Sequence, residues 1–348
     1  MKSKAENVVS MIFVGDISIQ REDPELTFSK TPAIFDVDVL WGNLEGVMSD
    51  VGEKLSLSGH IFHHMDLKMM SGLKGFHIMA LANNHIMDFG PEALYQCMDG
   101  LAEMKIASLG AGKNITEATK PVVLERKGAR IAFLAYTSVG VDGILPYAMV
   151  IADSDRPGVA AVRVSPLYAY PNVNPHELER MKENIKKAKG LADVVVVSHH
   201  WGESCSHATT PNQWAIGHAS IDAGADLVIG AHPHMLQGIE IYKGKVICYS
   251  LGAFSYDREG VIRKWELPLE KGHGIIKCMI ADKAIQNISF LPVLIGEGQT
   301  HHRHPEIVTP NAGEGRKVYD LMDKLSKELG TNLAIEDGEI TVFSQRIA

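Results

Sequence analysis

The sequence predicts an α/β fold, and three observations carry that expectation. Short β-branched apolar runs recur along the 348 residues and alternate with longer stretches whose apolar residues fall at helical spacing. The composition, 45% hydrophobic and 22% charged, is that of an ordinary globular chain. No repeat and no low-complexity linker interrupts the alternation.

Residues 8–14 are the first expected strand, a β-branched and aromatic run that ends in Gly15-Asp16. Residues 38–44 and 76–81 are the next two. Between them Leu67, Met70 and Leu73 share a helical face, with Gly75 as a C-terminal stop. Pro91 opens a helix that puts Leu94, Cys97, Met98, Leu101 and Met104 on one side. Hairpins are expected over 121–136, turning at Lys127-Gly128, and over 238–250, turning at Lys243-Gly244. Asn174-Pro175 starts a helix with Leu178, Met181, Ile185 and Ala188 inward and Gly190 at its end. Residues 193–198 read as a buried strand, because four valines follow one another. A helix over 211–224 and a strand over 227–229 come next. Val318, Leu321, Met322, Leu325 and Leu329 make an amphipathic helix, and Asp337-Gly338 marks a terminal hairpin. The expected division is a main domain over 1–304 and a helix and hairpin extension over 305–348.

Charge and cysteine usage narrow the functional classes. Lys and Arg total 34 against 42 Asp and Glu, a formal charge of −8. That balance argues against a general nucleic-acid or acidic-lipid binder. No apolar run approaches the roughly 20 residues of a spanning helix. The N-terminal MKSKAENVVSMIFVGD has no secretory apolar core, so no membrane segment is expected. Cys97, Cys205, Cys248 and Cys278 are widely spaced and read as reduced thiols, which points to a cytoplasmic location.

The chemistry lies at the strand ends. The expected strands run into Gly15-Asp16, into Asn43-Leu44-Glu45-Gly46 and into Asn83-Asn84-His85 with Asp88. Later ones run into His199-His200-Trp201-Gly202-Glu203 and Ala231-His232-Pro233-His234. Ligands of α/β sheets bind at the carboxyl ends of strands, so these groups can converge. Carboxylate, amide oxygen and imidazole together suit two divalent cations of the Mn, Zn or Fe type better than Ca or Mg. Two such cations activate water and clamp phosphoryl oxygens, while a neighbouring histidine protonates a leaving group. His199 and His200 are adjacent, so at most one faces a given metal. Asp88 reads as an acceptor that ties the Asn84 loop. His60, His63 and His64 belong to a loop over the site, and His301, His302 and His304 to a solvent-facing tail. Trp201 reads as packing, and Met65, Met69 and Met70 as core or lid residues.

At these residues the sequence resembles the CapA family of poly-gamma-glutamate synthesis proteins, within the calcineurin-like metallophosphoesterase superfamily. The matching segments are GD at 15–16, NLEG at 43–46, ANNHIMDFG at 82–90, HHWGES at 199–204, GADLVIGAHPHMLQ at 224–237 and YSLGAF at 249–254. The resemblance implies a four-layer α/β/β/α sandwich with a metal site at one edge. It implies Asp16 on a first metal, Glu45 bridging both, and Asn84, His200 and His232 on the second. His234 would bind the first metal, His85 would be the proton donor or a phosphate contact, and Glu203 would lie close by. Ser18 stands where the wider superfamily often has histidine, and Ala253 where the family usually has asparagine. CapA proteins commonly carry an N-terminal membrane anchor, which this N-terminus does not read as. The expected function is a metal-dependent hydrolase acting on a small-molecule phosphoester. Its rivals are a poly-gamma-glutamate biosynthesis component, a γ-glutamyl amide hydrolase, and a non-catalytic metal or polyanion binder.

Overall fold

Strand β1 (Val9–Ser18) sets the frame, because it is buried at all but one position and apolar on both faces. Only an interior strand between two packed layers satisfies that pattern. In chain order come β2 (Val39–Leu44), the short β3 (Val47–Met48) and β4 (His64–Met65), β5 (Ile78–Ala80), helix α1 (Gly90–Glu103), β6 (Ala107–Leu109) and β7 (Ala111–Gly112). A one-turn helix α2 (Ile115–Ala118) leads to β8 (Val122–Arg126), β9 (Ala129–Thr137), β10 (Gly158–Val159) and α3 (Pro175–Lys189). Then follow β11 (Val194–His200), α4 (Pro211–Asp222), β12 (Leu227–Ala231), β13 (Leu236–Tyr242), β14 (Lys245–Leu251) and β15 (Ala253–Tyr256). The chain closes with β16 (Gly272–Ala281), β17 (Ala284–Ile295), β18 (Pro305–Ile307), α5 (Gly313–Glu328), β19 (Ala334–Glu336) and β20 (Glu339–Ser344). The computed structural model describes residues 7–55, 63–139, 150–165, 169–257, 272–295, 304–336 and 338–344. His60, His301, His302 and Asp337 lie outside the described residues.

Two large sheets result. The first has the order β19-β20-β17-β16-β1-β2-β5-β6, with β15 also pairing β1 and β18 pairing β17. Its β1, β2, β5 and β6 run parallel, and β16, β17 and β20 continue it antiparallel. The second has the order β13-β14-β12-β11-β9-β8, parallel from β9 to β14 and closed by an antiparallel strand at each edge.

The period of two sorts each interior strand between two cores. Met11 and Phe13 of β1 join Trp41, Phe133, Val194, Val196, Ile229 and Phe290 in a core built from both sheets. Ile12 and Val14 face the other way, with Leu94, Cys97 and Leu101 of α1. Val195 and Val197 of β11 pack with Met181 and Ile185 of α3 and Ile216 of α4. The helices start where the sequence punctuates them. Asn174 accepts from the amides of His176 and Glu177, and Thr210 with Gln213 forms a reciprocal capping box.

Both expected hairpins form, and Lys127-Gly128 and Lys243-Gly244 all take positive φ, as tight hairpin turns require. Residues 67–73 are helical but wind as a 3-10 segment. The hairpin of β16 and β17 had no counterpart in the expectation, since its turn at Asp282-Lys283 holds two non-glycine residues at positive φ. From 305 onward the chain is built into the first sheet, and Val318, Met322 and Leu325 of α5 enter the core between the sheets. No helix of the described residues is long and apolar enough to cross a membrane.

Candidate metal centre

Strand ends from both sheets meet around one buried carboxylate. Asp16 lies in β1 at a register irregularity, opposite Asn43 of β2. Its Oδ1 accepts from Asn43 Nδ2 at 2.8 Å and its Oδ2 from the His232 amide at 3.2 Å. Gly15 permits this, because a Cβ there would collide with the Gly252 carbonyl that receives the Asp16 amide. Glu45 follows β2 and has no exposed surface. After β5 the two asparagines divide their work. Asn83 donates to the Leu44 carbonyl and accepts from the amides of His85 and Ile86, which fixes the loop. Asn84 reaches into the cluster, its Oδ1 2.8 Å from His200 Nε2.

On the second sheet β11 alternates. His200 faces the cluster, with Asn43 Nδ2 3.3 Å from its Nδ1, and burial together with the neighbouring histidines holds it well below the ordinary imidazole range. It is therefore neutral, the form that binds metal. His232 and His234 follow β12 on non-glycine backbone with φ of 95° and 57°. Such conformations cost on the order of 1–3 kcal/mol each and persist where the surroundings over-determine them.

Glu45 Oε1 lies 3.5 Å from His234 Nε2 and 4.0 Å from Nε2 of both His85 and His200. Three groups of possible ligand atoms share it: Asp16, Glu45 and His234; Glu45, His200 and His232; Glu45, His63 and His85. Within each group the atoms lie within 4.8 Å of one another. His234 Nδ1 sits 3.0 Å from Asp16 Oδ2 yet makes no hydrogen bond among the described residues. A buried imidazole nitrogen beside a buried carboxylate, with no hydrogen bond between them, fits a cation held by both.

His85 turns its Nδ1 to Asp88 Oδ2 at 2.8 Å, and the same oxygen takes the His63 amide at 2.8 Å. Asp88 thus orients a histidine as well as tying its loop. Three residues absent from the expected site border it. Asn43 bridges Asp16 and His200, a contact implied by its place in the 43–46 motif. The His63 ring stacks on His85 at 3.6 Å; the sequence placed it in a loop over the site without a role there. The Tyr256 hydroxyl lies 3.3 Å from His234 Nε2, without a sequence signal beyond its nearness to the 249–254 motif.

Two expected site residues stand apart. His199 faces the helix layer, where its Nε2 meets Ser220 Oγ at 2.9 Å and its ring stacks on Trp201, because the residue before His200 must point away. Burial pushes its imidazole down to about 3. Glu203 is exposed on the loop after β11. Trp201 is packing, as expected, with Nε1 donating to the Tyr249 carbonyl. Ser18 Oγ donates to the Met65 sulfur, and the Ala253 amide donates to His273 Nδ1. His304 is half-buried beside Arg21 and the Thr27 carbonyl rather than solvent-facing.

Known proteins align with this chain over most of its length. The capsule biosynthesis protein CapA of Bacillus anthracis is 28% identical over 94% of this chain and 76% of its own length. The PGA biosynthesis protein CapA of Bacillus subtilis is 28% identical over 98% of this chain and 84% of its own. A probable polyglutamine synthesis accessory protein of Mycobacterium tuberculosis is 35% identical over 53% of this chain and 46% of its own. A solved structure of a hypothetical protein from Thermus thermophilus superposes with a TM-score of 0.47 at 14% identity, covering 81% of this chain and 98% of that one. The model of the bacterial capsule synthesis protein family, PGA_cap, matches residues 10–258, which contain every residue of the cluster, and the chain belongs to that family.

Proposed function

We propose that the chain is a metal-dependent hydrolase of phosphoesters that would hold two divalent cations, of the Mn, Zn or Fe type, around Glu45. The observation that carries this reading is the buried Glu45 carboxylate, which is grouped with Asp16 and His234 and also with His200 and His232. Asp16, Glu45, Asn84, His200, His232 and His234 would hold the cations. Two bound cations supply Lewis-acid stabilisation of phosphoryl oxygens and lower the pKa of attacking water. The chain's own residues do the rest. Asn43 holds Asp16 and His200 in register, and Asp88 fixes His85 so that Nε2 passes a proton to the leaving oxygen. Helix α1 over the first sheet and α3 with α4 over the second support a four-layer sandwich.

A second reading, γ-glutamyl amide hydrolysis at the same site, is favoured by the capsule and PGA biosynthesis names of the Bacillus relatives. The test pairs metal content of the purified protein with Mn²⁺-dependent hydrolysis of an aryl phosphoester and of poly-γ-glutamate. Near two metals per chain, with phosphate ester cleavage lost on chelation, is the expected result. Glutamate release without ester cleavage selects the second reading, and metal binding without turnover on either substrate overturns both.

A further inference from the structure

The third group around Glu45 is assigned no cation in the two-cation reading. His63 belongs to none of the motifs quoted above, yet it is buried with a ligand atom within 4.8 Å of those of Glu45 and His85. Its position is built, not incidental. The His63 amide is anchored on Asp88 Oδ2, and its ring lies on that of His85 with an interplanar angle of 18°. Gly46, at φ +117°, is what admits it, because a Cβ there would lie 2.8 Å from the His63 Cβ and 2.9 Å from its carbonyl oxygen. His85 shows a second mark of a metal ligand. A carboxylate on one ring nitrogen is the arrangement that orients a metal-binding imidazole, and Asp88 provides it at 2.8 Å. Nε2 of His85 is then turned towards Glu45, 4.0 Å away. Ligand atoms around a tetrahedral zinc lie about 3.3–3.5 Å apart, so side-chain rotations that draw the three groups together by about an ångström bring them to ligation distance.

We propose that Glu45, His63 and His85 form a third cation position, one that withdraws His85 from proton transfer when filled. The proposal rests on the two-cation reading above. Affinity is lower here than at the first two positions, since Glu45 already shares its charge with two cations that repel a third. The predicted consequence is inhibition by excess metal. The rate falls about tenfold when free Zn²⁺ reaches about ten times the dissociation constant of this position.

Zn²⁺ alone is the probe. Equilibrium dialysis with elemental analysis should give two tight Zn²⁺ per chain and a third at higher free concentration. His63→Phe keeps a ring on His85 but offers no nitrogen, and should lose the third while retaining the first two. Crystals of the unaltered protein soaked in excess Zn²⁺ should show an anomalous peak among Glu45, His63 and His85, a result that needs no variant to fold. Saturation at two with no peak there overturns the third position and leaves the two-cation reading standing. Retention of the third ion by His63→Phe also overturns it, whereas no bound Zn²⁺ at all removes both.

Discussion

Asp88 separates the charge that orients His85 from the hydrogen bonds that hold the loop. Its Oδ2 meets His85 Nδ1 and the His63 amide, each at 2.8 Å, and the residue has no exposed surface. In Asp88→Asn the amide oxygen can take the place of Oδ2 and keep both contacts, so what disappears is the negative charge. Hydrogen bonds to a charged group contribute about 1.5–3 kcal/mol against about 0.5–1.5 for neutral ones. The loss is therefore about 1–1.5 kcal/mol at each contact. The share borne by the His85 contact corresponds to a fall in kcat/KM of about tenfold. Asp88→Ala removes the shared acceptor and strands the buried His63 amide, adding about 1–3 kcal/mol of destabilisation. The assay is Mn²⁺-dependent aryl phosphoester hydrolysis at matched metal content, with urea unfolding of all three proteins. Activity should fall in the order parent, Asn, Ala, with the larger stability loss in Ala. An Asp88→Asn protein within twofold of the parent in kcat/KM would refute the role assigned to the charge.

Two further outcomes follow from the same geometry. His199 is held neutral by burial with its imidazole at about 3, so below pH 6.5 the unfolded chain binds a proton that the folded one refuses. Stability therefore falls as pH drops from about 7 towards 3, by about 2 kcal/mol between pH 7 and 5. His199→Gln should shrink the difference in unfolding free energy between pH 7 and 5 by that amount, and an unchanged difference would count against the assignment. Gly230→Ala would drive a methyl into the Tyr249 carbonyl and to 2.5 Å from Trp201 Nε1, forcing β12 from β14. Thermal or urea unfolding should show a loss of about 1–3 kcal/mol or more, and a neutral variant would mean that the strands separate freely.

Much of this was legible because strand ends write their chemistry locally. Asp16, Glu45, Asn84, His85, His200, His232 and His234 each follow an apolar run, and the alternation of β11 decides between His199 and His200. What sequence cannot display is which layers meet. Asp16 and His232 are 216 positions apart, and the amide of one reaches the carboxylate of the other only through packing of two sheets. His63 illustrates the same limit, since its approach to His85 depends on the turn at Gly46 and on Asp88, 25 residues away. The amphipathic pattern of α5 announces a buried stripe without saying against what, so the tail reads as an extension although it seals the central core. The β16–β17 hairpin stayed hidden because Asp282-Lys283 carries no glycine to mark a turn with positive φ.

The division of the cluster between two sheets has a thermodynamic consequence. Asp16 lies in a strand of the first sheet and Glu45, Asn84 and His85 follow others, whereas His200 ends a strand of the second sheet and His232 and His234 follow another. A ligand held by both halves binds only while the sheets are docked, so its binding free energy adds directly to the work of parting them. At a hundredfold excess over the dissociation constant that linkage amounts to about 2.7 kcal/mol. The centre then acts as a clasp across the interface, and amide exchange at the ends of β1 and β12 becomes a gauge of how firmly it is closed.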